Sequence, residues 1–212
     1  MEFKTAGIVL KKQNFGEADR ILRIFTQELG VVSALAKGVK KTKSRKAGSL
    51  ELFSEANFRL HRKSGELFLI TDAAPISSFE SKDLAVLRTA YATSELILNI
   101  APPEKSLPKI YKIFQEFLFI ILNSVSNPKL QLLKVAFFVK VLSIFGFFAI
   151  EAKTDIREKK FFRFLLEKDF TEILQLENDA KLFQAAETKL SQILENESER
   201  ISKVSAATQN WQ

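Results

Sequence analysis

Along the first eighty residues the apolar positions recur with a period of two. In SLELFSEANFRLH, Leu50, Leu52, Ala56, Phe58 and Leu60 share one parity, and Glu51, Phe53, Glu55, Asn57, Arg59 and His61 share the other. Alternation of this kind predicts a half-buried strand with one polar face. GELFLIT (65–71) follows the turn-like Lys63-Ser64-Gly65, so residues 50–71 predict a hairpin. Three more short apolar segments lie upstream: TAGIVLKK (5–12), DRILRIFTQ (19–27) and VVSALAKG (31–38), punctuated by Asn14–Gly16 and by Gly30. DRILRIFTQ also fits a helical period, but its brevity and flanking glycines favour a strand. Five short strands with no crossover helix among them predict a small antiparallel barrel, of the OB type at this size.

After Ala73-Ala74-Pro75 the period changes. Residues 82–100 place Leu84, Leu87, Tyr91, Leu96 and Leu98 in a broad apolar band, and Pro102-Pro103 ends that helix. A second helix is expected from about 105–108 to Ser124. A third opens at Asn127-Pro128, with proline in the first turn, and runs to about Phe147. Short helices near 157–167 and 179–197 complete the pattern. The expected architecture is α+β: an OB-fold antiparallel barrel over 1–78, then an all-α domain over 79–212.

Two apolar stretches call for a membrane check. Glu116 interrupts IFQEFLFIIL (113–122) and Lys140 interrupts VAFFVKVLSIFGFFAI (135–150), so neither offers about 20 uncharged residues and both predict buried core helices. No secretory pattern is visible in MEFKTAGIVLKK, and the expected compartment is the cytoplasm. The chain holds no cysteine and one histidine, His61. Disulfides, thiol catalysis and cysteine-ligated zinc are excluded, and no metal is expected. The phosphate-cradling GxxxxGK[ST], the dinucleotide GxGxxG and the nucleophile-bearing GxSxG are all missing, so no enzyme and no cofactor is expected.

Charge adds the functional signal. Of the net +7, residues 1–80 carry +5 (14 Lys/Arg against 9 Asp/Glu) and the other 132 residues only +2 (18 against 16). The density peaks in KGVKKTKSRK, where Lys37, Lys40, Lys41, Lys43, Arg45 and Lys46 make six cations in ten residues. Ala36-Lys37-Gly38 starts the charge while the preceding strand is still in register, which predicts that Lys37 is fixed on the barrel. Lys43, Arg45 and Lys46 lie further into the loop, where they attract a polyanion more than they position it. Lys11, Lys12, Arg20, Arg23, Arg59, Arg62 and Lys63 add charge from neighbouring strands. A groove lined this way binds phosphates by counterion release, without reading sequence. Phe53, on the polar parity of its strand, is the candidate for stacking on a base. A different class of reading is a non-enzymatic adaptor whose basic loop meets an acidic protein or an anionic membrane.

The GIVL strand, the FGEADRIL turn and strand, FTQELG, and AKGVKK…KSRKAG leading into LELF resemble the N-terminus of the bacterial RecO recombination mediators. The likeness continues through AYATSELIL, KIFQEFL and LKVAFFVKVLSIFGF, covering roughly residues 3–148. It implies an OB fold followed by a helical domain, binding of single- and double-stranded DNA, and annealing of complementary strands. The implied partners are RecR, single-stranded-DNA-binding protein and, indirectly, RecA, whose loading the family assists; the implied location is nucleoid-associated. The family's DNA-contacting cations match Lys37, Lys40 and Lys41. Its docking helix for the tail of single-stranded-DNA-binding protein matches 129–146, with Lys134, Phe138, Val141, Leu142 and Phe145 as candidates. Some members carry a four-cysteine zinc site that this chain cannot form. The acidic LSQILENESERISK replaces the family's usual basic C-terminal helix, which bears on any DNA contact from that end.

Overall fold

The alternating segments form a closed barrel. The computed structural model describes residues 1–40, 48–62, 65, 67–122, 127–177 and 179–196. Its strands are β1 (Glu2–Phe15), β2 (Asp19–Thr26), β3 (Gly30–Ala36), β4 (Glu55–His61) and β5 (Phe68–Ser77). They close in the order β1-β2-β3-β5-β4. Each neighbouring pair is antiparallel except β3 and β5, which run parallel through Ala34 opposite Phe68 and Leu35 opposite Leu69. This is the OB arrangement that the spacing predicts, with one parallel closure.

One parity of each strand fills the barrel: Val9, Leu22, Ile24, Val32, Ala34, Phe58, Leu60 and Phe68 pack as a single buried cluster. A register shift between Val9 and Lys11 breaks the alternation of β1. The extra residue, Leu10, exchanges the faces of the residues after it. Lys11 therefore pairs with the outward Arg23, and Lys12 pairs with the inward Leu22.

The expected strand start at residue 50 is corrected. Gly48–Leu50 forms a 3-10 turn, and Phe53 takes the left-handed conformation with φ 64°. The Phe53 amide donates to the Val9 carbonyl (2.8 Å), and the Val9 amide donates to the Ser54 carbonyl (3.1 Å). These bonds dock the segment across β1 at the bulge, and β4 begins only at Glu55.

Two compact units result. Residues 101–115, which the sequence pattern places with the helical domain, cluster with 1–81; the other unit is 82–100 with 116–212. In the barrel unit, Phe25 on the outer face meets the rings of Tyr111 (5.4 Å) and Phe114 (6.4 Å). Glu55, only 5% exposed, accepts from the Tyr111 hydroxyl and from Gln115 Nε2, both at 2.7 Å on Oε1. A carboxylate buried this deeply persists because donors replace its lost water. The connecting segment is tied as well. The Glu104 amide donates to the Val31 carbonyl (3.2 Å), and the Arg62 guanidinium bonds Glu104 (2.5 Å) while lying 3.9 Å above the Phe68 ring. Gly30 has φ +70°, and a Cβ there would meet the Lys105 carbonyl oxygen at 2.0 Å, so the turn requires glycine.

The helical unit comprises α1 (Leu84–Ile100), the C-terminal half of α2 (Pro108–Leu122), α3 (Asn127–Ile144), α4 (Ile156–Glu167), α5 (Phe170–Ile173) and α6 (Ala180–Asn196). α3 is apolar almost all round and contacts α1, α4, α5 and α6, as a central helix must. Its Lys140 is a cap: Nζ donates to the carbonyls of Leu166 (3.0 Å) and Lys168 (2.6 Å) where α4 ends. The band expected on α1 is rotated. Leu84 and Tyr91 are exposed, and the buried face is Val86, Thr89, Ala90, Thr93, Ser94, Leu96, Ile97 and Ile100. Small residues let α1 approach α3, and Thr93 satisfies its own hydroxyl on the Thr89 carbonyl (2.9 Å). α5, four residues closed by an Asp169–Glu172 capping box, is too short for periodicity to reveal.

Burial, and then the hydrogen bond to Glu55, push the Tyr111 phenol far above its ordinary value, so it stays a donor. Tyr111→Phe leaves Glu55 one donor short. It is expected to cost about 1–3 kcal/mol at neutral pH, measured by urea unfolding. A raised phenol contributes stability below its unfolded value and loses it above, so the gap between wild type and variant should narrow as pH climbs past about 10. A gap independent of pH would show that the phenol–carboxylate bond is not its source.

Candidate nucleic-acid interface

The outward parity of β1, β2 and β3 carries the basic surface. Lys11, Arg23 and Ser33 form one cross-strand row, because Lys11 pairs with Arg23 and Arg23 with Ser33. Gln13, Ile21 and Leu35 form the next row. Beyond them lie Phe15 opposite Asp19, at the β1–β2 tip. Ile21 and Leu35 are half-buried, and Phe15 is 51% exposed. Two cations directly opposite one another on one face destabilise a sheet unless an anion intervenes. Arg23 sharpens the point: it is half-buried, its Nε is enclosed without a hydrogen-bond partner, and burial lowers its pKa from the ordinary value.

The turn after β3 is held down rather than left loose. The Gly38 amide donates to Asp19 Oδ1 (2.7 Å), and the Lys40 amide donates to the Ala18 carbonyl (3.0 Å). Val39, 5% exposed, joins the barrel core, while Lys37 and Lys40 on either side are exposed. Gly38 at φ 66° makes the fold-back possible. Both ammonium groups thus stand on an anchored backbone.

A second basic group occupies the inward parity at the barrel's end. Lys12 and Arg20 both ion-pair with Glu51, Arg20 at 3.1 Å. Burial raises the Glu51 carboxyl, but the hydrogen bonds from Lys12 and Arg20 outweigh it and hold the group below its ordinary value.

The remaining sequence candidates divide. Arg59, outward on β4, faces Glu2 at 3.4 Å, and Arg62 is committed to Glu104 and Phe68. Phe53 is not a stacking platform: it is 3% exposed, with its ring edge-on to Phe79 at 5.2 Å. Lys41, Lys43, Arg45, Lys46 and Lys63 lie outside the described residues. On α3, Val141 and Leu142 are fully buried in the core and present nothing to a docking peptide, whereas Lys134, Phe138 and, just past the helix end, Phe145 are half-buried. Three residues of the site carry no clear sequence signal: Asp19, Glu51 and Phe15. The two acids look like ordinary flanking charges, and only the register shows what they hold. Phe15 sits next to the Gly16 that punctuates a turn, where exposure is the rule.

Among the described residues no group of three or more His, Asp or Glu side chains is placed to hold a metal, and no helix is long and apolar enough to cross a membrane. Residues 1–79 match the family described as Recombination protein O N terminal. A DNA repair protein RecO of Dehalococcoides mccartyi is 36% identical over 114 residues, 53% of this chain and 45% of that protein. One from Clostridium novyi is 31% identical over 147 residues, and one from Listeria monocytogenes is 32% identical over 148; each alignment covers 68% of this chain and 56% of the relative. The chain spans about half the length of the curated relatives it matches. With an OB barrel over the matched residues 1–79 and helices after it, the chain resembles the RecO proteins in sequence and in the order of its elements.

Proposed function

We propose that this chain is a non-enzymatic DNA-binding mediator of repair and recombination. On this reading it holds single- and double-stranded DNA, anneals complementary strands and, with RecR, helps to load RecA onto DNA coated by single-stranded-DNA-binding protein. It works in the cytoplasm, at the nucleoid. The observation that carries the reading is the outer face of β1–β3. There Lys11 and the half-desolvated Arg23 stand opposite one another, and Lys37 and Lys40 rise from a pinned turn at the same end. Phosphates relieve that repulsion and release their own counterions, which gives affinity without sequence preference. Phe15 replaces Phe53 as the aromatic available to a base, and the half-buried Ile21 and Leu35 extend an apolar floor beside it. The names of the relatives, DNA repair protein RecO, support the same assignment.

Replacing Lys37, Lys40 and Lys41 with alanine is expected to weaken binding of labelled oligothymidine about tenfold or more at low salt. The slope of log K against log salt should flatten by about 2, at roughly 0.7 per cation on a single strand. Wild-type affinity in the triple variant would refute the assignment. Binding to anionic vesicles without binding to DNA would favour an adaptor at a membrane instead.

Asp19 gives a sharper test, because removing this acid raises the net charge. Asp19→Ala loses the acceptor that holds Gly38 and should bind DNA more weakly than Asp19→Asn, which keeps an acceptor oxygen. Equal binding by the two variants, each tighter than wild type, would mean that net charge, not the anchored turn, sets the affinity.

A further inference from the structure

The barrel's end carries two cations that the outer face does not use. Lys12 and Arg20 lie on the inward parity of adjacent strands, in register with Leu22 and Asn14 respectively. Their side chains keep 29% and 22% of their exposure and converge on one carboxylate, Glu51, which remains 45% exposed. Glu51 comes from outside the sheet, just after the 3-10 turn Gly48–Leu50, so its approach is not imposed by strand pairing. Arg20 Nη1 and the ammonium of Lys12 each hold one oxygen of that carboxylate, and a phosphodiester offers the same charge and paired oxygens.

We infer that Lys12 and Arg20 form a second phosphate site at the end of the barrel, and that Glu51 occupies it as an internal competitor until a nucleic-acid phosphate displaces it. The inference rests on the DNA-binding reading above and names a part of that interface. The exchange is feasible because Glu51 is 45% exposed and reachable from solvent, and a phosphate gives the two cations an equivalent anionic partner. Displacement swaps one anion for another on the same two cations. The β1 bulge is what makes the site separate: it sends Lys11 to the outer face and Lys12 to the end of the barrel, so a strand rounding the β1–β2 tip meets both.

The site predicts that removing the acid that occupies it improves binding. Glu51→Gln keeps the shape and drops the charge. It should bind labelled oligothymidine about 3–10-fold more tightly at low salt, with a log–log salt slope steeper by about 1. Adding Lys12→Ala and Arg20→Ala to Glu51→Gln should erase that gain, and the same pair in the wild-type background should cost less. Glu51→Ala must move affinity in the same direction, and circular dichroism with thermal unfolding verifies that each variant is folded. Unchanged or weaker binding by folded Glu51→Gln would overturn the inference while leaving the outer-face interface standing. A second arm uses inorganic tripolyphosphate alone. The site predicts a larger rise in melting temperature for Glu51→Gln than for wild type, and an equal rise overturns it. If neither protein binds DNA, the DNA-binding reading fails, and the tripolyphosphate arm still decides the anion site.

Discussion

The arrangement of the barrel unit turns on one buried carboxylate. Glu55 begins β4 on the outward parity, where a strand would ordinarily show solvent a polar side chain, and it is instead enclosed and bonded by Tyr111 and Gln115. Those bonds are worth having only if residues 101–115 stay on the barrel, and the segment stays because Phe25, Val31, Arg62 and Gln27 each hold part of it. The outer face is thereby divided. Ile8, Phe25 and Val31 are covered, and the continuation of the same strands, from Lys11 and Arg23 to the Lys37–Lys40 turn, is left for a ligand.

Within that remaining face, charge is organised by backbone rather than by composition. A single extra residue at Leu10 sorts neighbouring lysines onto different surfaces. One acid, Asp19, positions cations by accepting an amide; another, Glu51, neutralises cations by ion pairing. Counting charges along KGVKKTKSRK would treat these two acids alike, yet they have opposite consequences for a polyanion. On the proposed reading, net charge steers encounter, whereas the pinned turn and the in-register pair determine where a phosphate rests.

The barrel is legible in the sequence because alternation is a direct image of strand pairing, and the order of short segments matches an OB fold. The central helix is equally plain, since α3 is apolar almost all round. Less legible are features that depend on contacts between distant residues. Nothing in LFSEANF announces that Phe53 turns left-handed to dock on β1, so alternation alone starts the strand five residues early and makes Phe53 a stacking ring. Large apolar residues on α1 point to Leu84 and Tyr91, while the packed face is built of Ala90, Thr93 and Ser94. Residues 101–115 read as connector and helix, because their attachment to the barrel is a matter of Glu55 meeting Tyr111 across 56 positions of sequence. For the site, Lys37 and Lys40 can be picked out by charge, but Arg62's commitment to Glu104 cannot.

The proposed interface places DNA on the outer face of β1–β3 and around its tip. Amide chemical-shift mapping by NMR, with oligothymidine titrated into the labelled chain, tests it most directly. Perturbations should concentrate in residues 11–15, 19–23 and 33–40, and leave the amides of 101–115 largely unmoved. A map centred on Arg59–Arg62, or confined to the helical unit, would contradict it.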